Sequence, residues 1–340
     1  MAFPLRPRWQ RVTCTTTFGK NHHASHTLSS GPFYNAKTAV RKFGVRKFGY
    51  TCFDGRGTLC GVMNIHTQHI DGVPFRLVAP FDFSFLRTYG TVFKVFDEQE
   101  SGNMCFGVVD GGKKRFVKFA GAPTMRACVS QAEAVALLKA AEPMYRDLAH
   151  PNLVTFIDAE EVGGGFAMVF EWTDAECIHR DYPASRENFL RTPLQARVNM
   201  FEAILDFHAR VAAAGYVAID FYEGGILYDF ARETVMICDI DLYAKRPYVN
   251  RMGRLWGSSR FMSPEEFIHG ATIDEITNVY TMGATAFVLL SNSDRSPEAW
   301  PFRRELYHIV RRAVSDDRNQ RQPSIQKLIE EWQAASPKRY

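Results

Sequence analysis

Two aspartates flank a short stretch of this chain in a way that suits chemistry on a phosphate. Between Gly215 and Asp241 the residues read as two apolar runs, Gly225-Ile226-Leu227-Tyr228 and Val235-Met236-Ile237-Cys238, joined by a polar turn from Asp229 to Thr234. Short apolar runs bounded by turn residues predict a β-hairpin, with Asp220 before its first strand and Asp239 after its second. One such carboxylate can orient a hydroxyl nucleophile, and the other can hold magnesium against phosphate oxygens. An ordinary hairpin with solvated aspartates has the same spelling, so the surrounding elements decide.

The chain of 340 residues has room for two packed domains and a tail, and 46% hydrophobic with 23% charged residues is ordinary for a soluble globular protein. Its longest apolar run, Val279 to Leu290, is too short to span a bilayer, so no membrane span is expected. Seven scattered cysteines, an odd number without a C-x-x-C pair, predict reduced thiols and a cytoplasmic setting. The histidines at 22, 23 and 26, and His66 with His69, lack cysteine or carboxylate partners at ligand spacing and do not make a metal site.

Charge is uneven. Residues 1–50 carry nine Lys or Arg and no Asp or Glu, which against the chain total of +4 leaves the remainder at −5. The basic segment belongs to a poorly ordered extension expected over residues 1–80, with a hairpin at most around Phe48 to Ile65. A disordered arm touching acidic partners, a targeting peptide and an unstructured start are all open readings. Nucleic-acid contact is the least favoured use of it, since a lack of acids alone does not make a binder.

The elements that must position the two aspartates follow. Val92 to Phe96, Met104 to Val109 and Arg115 to Phe119 form an antiparallel meander, with Gly111-Gly112 as a tight turn. A helical pattern covers Ala127 to Leu148, with Pro143 marking a break or a second segment. Strands follow at Val154 to Asp158 and Phe166 to Phe170. Beyond Thr173 the chain turns helical: Pro193 to Ala214 buries Val198, Phe201, Ile204, Leu205 and Val211 on one face and stops at Gly215. Further helices are expected near 274–290, 302–314 and 324–334. The fold class is therefore α+β.

From about Phe81 to Trp332 the order of parts resembles the eukaryotic-like serine/threonine protein kinases in their divergent bacterial form. Arg115-Phe116-Val117-Lys118 resembles the V-A-I-K strand, His150-Pro151-Asn152-Leu153-Val154 the H-P-N-[IL]-V segment, and Gly257 to Glu265 the stretch G-T-x-x-Y-M-A-P-E. Asn278 to Gly283 resembles the D-V-W-S-L-G helix. The resemblance implies a two-lobed fold: a five-stranded antiparallel N-lobe with one helix over residues 81–173, binding nucleotide, and a mostly helical C-lobe over 174–340, catalytic and substrate-binding. It implies ATP and Mg²⁺ as cofactors, with a protein as substrate.

Roles carry over residue by residue. Lys118 would hold the α- and β-phosphates, paired with Glu133 or, failing that, Glu142. Backbone groups of Glu171, Trp172 and Thr173 would bond the adenine. Asp220 would be the catalytic aspartate and Asp239 the metal ligand. Glu265 would pair with Arg321. The phosphate-covering loop is either Tyr89 to Val95 or Glu100 to Gly107 with Gly102 and Gly107 flanking the turn; spacing to Lys118 favours the second. His179-Arg180-Asp181 spells the catalytic tripeptide but precedes a helical pattern, and Asp206-Phe207 lies mid-helix, so both are set aside.

Departures matter as much. Gly225 stands where kinases keep a magnesium-binding asparagine, Tyr222 where they keep a lysine or arginine, Ala218 in place of a histidine, and Asn278 in place of an aspartate. Asp239-Ile240-Asp241 replaces D-F-G, which makes Asp241 a candidate second metal ligand, as in small-molecule kinases. The leading expectation is an ATP-Mg²⁺ phosphotransferase acting on Ser or Thr hydroxyls of proteins. A non-catalytic pseudokinase module is the rival, and a small-molecule kinase the third reading.

Overall fold

Asp71 and Gly72 both adopt left-handed backbone, φ 50° and 83°, and close a two-residue hairpin turn between β3 (His66–Ile70) and β4 (Val73–Leu77). This computed structural model describes the backbone of residues 51–53 and 59–62 and the whole of residues 65–336. The basic residues 1–50, with their three histidines, lie outside the described residues. The expected small hairpin is present as β1 (Thr51–Phe53) and β2 (Leu59–Val62). The extension expected over residues 1–80 is shortened, because β3 and β4 belong to the core: Phe75 and Leu77 are buried with Phe83, Leu86 and Phe106. The Asp71-Gly72 pair and the alternation from Val73 to Leu77 carry that hairpin, masked by Pro74 and by the polar residues of β3. His66 and His69, three apart on an extended strand, face opposite sides.

Five strands then build one antiparallel sheet in the order β5-β6-β7-β9-β8. They are β5 (Thr91–Phe96), β6 (Asn103–Asp110), β7 (Lys113–Ala120), β8 (Phe156–Val162) and β9 (Gly165–Glu171). Glycine pairs 111–112 and 163–164, all at positive φ, make the tight turns. One face of this sheet packs on β3 and β4. The other carries Lys118, in register with Cys105 and Met168, and packs on helix α1 (Gln131–Asp147).

Helix α1 starts on a capping box between Ser130 and Glu133 and continues through Pro143. A proline inside a helix costs about 3 kcal/mol, and burial of Ala141, Met144 and Tyr145 on both sides of it holds the helix in one piece. The break expected there does not occur.

The rest is mostly helical. Strand β10 (Glu176–Cys177) and helices α2 (Pro183–Arg191) and α3 (Leu194–Ala213) lead through β11 (Tyr216–Val217) to the predicted hairpin, β12 (Ile226–Asp229) and β13 (Thr234–Ile237). Short pairs follow, β11 with β14 (Ala244–Lys245), and β15 (Tyr248–Val249) with β16 (Thr272–Ile273). Then come α4 (Glu275–Leu290), buried over nearly its whole length, α5 (Arg304–Ala313) and α6 (Ile325–Ala335). The five residues named for the buried face of α3 are all buried. Among the described residues no helix is long and apolar enough to cross a membrane.

Asn152 ties the two halves together. Val154 N–H donates to Ile237 O at 2.9 Å, Ile237 N–H to Asn152 O at 2.6 Å, and Asn152 Nδ2 to Val235 O at 2.9 Å. The segment before β8 is thereby fastened along β13, whose end carries Asp239.

Candidate functional site

The sheet and the hairpin meet at Lys118. Its Nζ lies 2.7 Å from Asp239 Oδ1 and 2.5 Å from Asp241 Oδ2. Burial works against the ammonium charge, and the two carboxylates overcome it, holding Lys118 well above its ordinary range. The lysine in turn holds Asp239 below the usual carboxylate range. Asp239 keeps 55% of its side chain exposed, and among the described residues its Oδ2 has no hydrogen-bond partner.

Glu133, expected to pair with Lys118, does not. It is N3 of α1, and its carboxylate accepts from Ser130 N–H and Oγ at 2.9 and 2.7 Å. The alternative, Glu142, is taken by Arg146 one turn on. The anchoring acid comes from the hairpin side instead: Asp241 binds the lysine through Oδ2, and Oδ1 accepts from Tyr145 OH of α1 at 2.8 Å. That hydroxyl also accepts from Ile240 N–H at 3.2 Å. Tyr145 was not singled out from the sequence, because it is one aromatic on a buried helix face; only the fold puts its hydroxyl beside residues 240 and 241.

Asp220 and Asp239 both hold left-handed backbone, φ 65° and 59°. That region is uncommon for residues with a side chain, and strain of this kind persists where neighbours over-determine it. Asn278 clamps the loop before Asp220: its Oδ1 accepts from Ala218 N–H at 2.8 Å and its Nδ2 donates to Ala218 O at 2.9 Å. Behind Asp220, buried Glu223 is gripped by Arg260. Asp220 itself has no hydrogen-bond partner among the described residues. Burial, then the charge of Asp239, push its carboxyl up to about 7, with Arg254 opposing. A carboxylate titrating near neutral pH with its oxygens free has the properties of a general base.

The remaining expected residues divide. Gly102, at φ 81°, ends the connection from β5 to β6 and packs against Ala134 of α1, so of the two candidate loops the later one joins strands. Gly107 lies inside β6, where a Cβ would come within 2.7 Å of the rings of both Phe93 and Trp172. Glu171 N–H is spent on Thr155 O, Trp172 Nε1 donates to Asp174 Oδ1 at 2.7 Å, and Thr173 Oγ1 accepts from Ala175 N–H. Rings therefore line the stretch expected to bond a base. Glu265 and Arg321 make a buried two-pronged ion pair, 2.7 and 3.0 Å, as expected.

The donor chemistry for a metal is partly there. Magnesium binds through one or two carboxylates plus phosphate oxygens, and Oδ2 of Asp239 fits that demand. Asp241 does not, since both its oxygens are engaged. Gly225 supplies nothing, and a Cβ there would sit 2.9 Å from Cys238 O. Among the described residues no group of three or more His, Cys, Asp or Glu side chains is arranged to hold a metal. Cys105, opposite Lys118, has its thiol pushed up to about 12 by burial and is no nucleophile. No protein-family model matches the chain, and no curated protein shows significant similarity to it.

Proposed function

We propose that the chain is a phosphotransferase with a two-lobed protein-kinase-like fold, moving the γ-phosphate of Mg-ATP to Ser or Thr hydroxyls of a protein substrate. The observation that carries this reading is the meeting of Lys118 from the sheet with Asp239 and Asp241 from beyond the hairpin. The strand order, the Asn278 clamp and the Glu265–Arg321 pair support it.

In this reading Lys118 orients the phosphate chain once that chain draws it from the two carboxylates. Asp239 offers its free oxygen to magnesium, whose part would be to neutralise charge on the phosphate oxygens. Asp220, deprotonated above about pH 7, orients the acceptor hydroxyl and takes its proton. Asp241 and Tyr145 hold the lysine from behind. Catalysis is positioning and charge stabilisation with no covalent intermediate. The free thiols of Cys105, Cys128, Cys177 and Cys238 support a reducing, cytoplasmic setting. Incubation with labelled ATP and a generic protein acceptor tests the proposal: incorporation should fall at least about a hundredfold in Asp220→Ala. Equal incorporation by both proteins removes Asp220 from the chemistry.

A non-catalytic binding module is the second reading, favoured by the tight approach of Gly225 to Cys238 O, which leaves no room for a ligating side chain. A native-state ligand raises apparent stability, so an unchanged melting temperature in Mg-ATP would favour it. The third reading, a small-molecule kinase, draws less support from Asp241, whose Oδ2 pairs with Lys118.

A further inference from the structure

A β-bulge turns Phe93 onto the face of the sheet that carries Lys118. Val92 pairs with Val108 and Lys94 with Gly107, so Phe93 is the extra residue of β5. Its ring meets Trp172 edge-on with centroids 4.8 Å apart, and both rings pack against Gly107. Phe116, the register partner of Gly107, lies 6.5 Å from Trp172 and 5.9 Å from Phe96. Rings from β5, from β7 and from the residue after β9 thus gather on the sheet face beside residues 171–173, two residues along β7 from Lys118.

The ring pair is fixed. Trp172 Nε1 is held by Asp174, which also receives Lys114 at 3.4 Å. Lys94 lies over the rings of Phe96 and Trp172 at 4.8 and 5.9 Å, and Lys114 over Phe93 at 5.7 Å. At the end of this face beside residues 171–173, where a base would lie, aromatics cover the sheet and two cations rim it. The other end, at Lys118 and Asp239, has the charges that suit a phosphate chain.

We propose that the crevice recognises its donor through the phosphate chain alone, with Phe93 and Trp172 closing it to the base, so that nucleoside triphosphates of any base and inorganic tripolyphosphate bind alike. This rests on the phosphotransferase reading. Stacking of a base on an aromatic ring is worth about tenfold or more in affinity where it occurs, and that increment is what the closed end forgoes.

The test is calorimetric titration of the full chain with the magnesium complexes of ATP, GTP, CTP and tripolyphosphate, beside Phe93→Ala, Trp172→Ala and the double variant. Phe93 is 36% exposed, and the single variants guard against misfolding of the double one. In the native protein the four affinities should agree within about threefold, and in the double variant ATP should bind about tenfold or more tighter than tripolyphosphate. A native preference for ATP of that size overturns the proposal and leaves the phosphotransferase reading standing, as does a selective loss of ATP binding in Trp172→Ala. Opening the end without any gain for ATP also overturns it. Binding of none of the four to any of these proteins overturns both.

Discussion

The ammonium of Lys118 is anchored by Asp241, 2.5 Å away, and Asp241 is in turn bonded by Tyr145 of α1. The acid that braces the lysine therefore arrives from the hairpin side, and the helix reaches it through a phenol. Removing Asp241 leaves a buried cation with one partner fewer and a buried hydroxyl without its acceptor. On the proposed phosphotransferase reading, Asp241→Asn should cut the rate by about a hundredfold, and Tyr145→Phe by less, about tenfold. Glu133→Ala should leave the rate unchanged and lower stability slightly, since it removes only the Glu133 half of the capping box while Ser130 still caps the helix. Rates and urea midpoints of the three variants check this ordering.

Asp220 sets the expected pH dependence. Its carboxyl is raised to about 7 by burial and by Asp239, and in the proposed role of base it works only when deprotonated. The rate should fall about tenfold per pH unit below 7 and level off above it. Glu266, also raised to about 7 by burial, titrates in the same window but lies in the Ser263 capping box. Glu266→Gln should therefore keep the acid limb of the profile.

The same shift reads out in stability. Folding favours the neutral form of Asp220, so its contribution is whole below the unfolded value near 4 and is lost as pH rises through about 7. Asp220→Asn should thus raise the melting temperature at pH 8 and leave it unchanged at pH 4. Thermal unfolding at the two pH values checks the sign; a variant destabilised at pH 8 would contradict it.

Glu265 and Arg321 are both buried; burial pushes the Glu265 carboxyl up, and the bond and charge of Arg321, with a backbone bond and Thr277, together outweigh it and hold the carboxyl below its usual range. Removing one partner leaves the other charge stranded. Arg321→Ala should cost about 3–5 kcal/mol, and Arg321→Met with Glu265→Gln distinctly less. Chemical denaturation of the two variants checks it.

Phe75, 3% exposed, lies under the outer face of the five-stranded sheet. Phe75→Ala should cost about 3–5 kcal/mol by leaving a cavity, which would show in the urea midpoint that residues 66–77 belong to the folded body.

Local signals were legible in the sequence because each rests on neighbours in the chain. Glycine pairs at 111–112 and 163–164, the alternating strands, the apolar face of α3 and the stop at Gly215 all depend on backbone preference and periodicity alone. The Asp71-Gly72 turn was equally local, and it was hidden by Pro74 and by the polar residues around it. Partnership is another matter. The box at Ser130 to Glu133 satisfies helix amides and so removes Glu133 from the lysine, while the pairing of Lys118 with Asp239 spans more than a hundred residues. Which of several carboxylates meets a buried cation depends on where sheet, helix and hairpin come to rest, as does the bulge that aims Phe93 at Trp172. The sequence determined the elements and the kinds of chemistry they carry. Only tertiary packing decided which side chains face one another, because an ion pair or a ring contact is made across space between segments whose spacing along the chain says nothing of their distance.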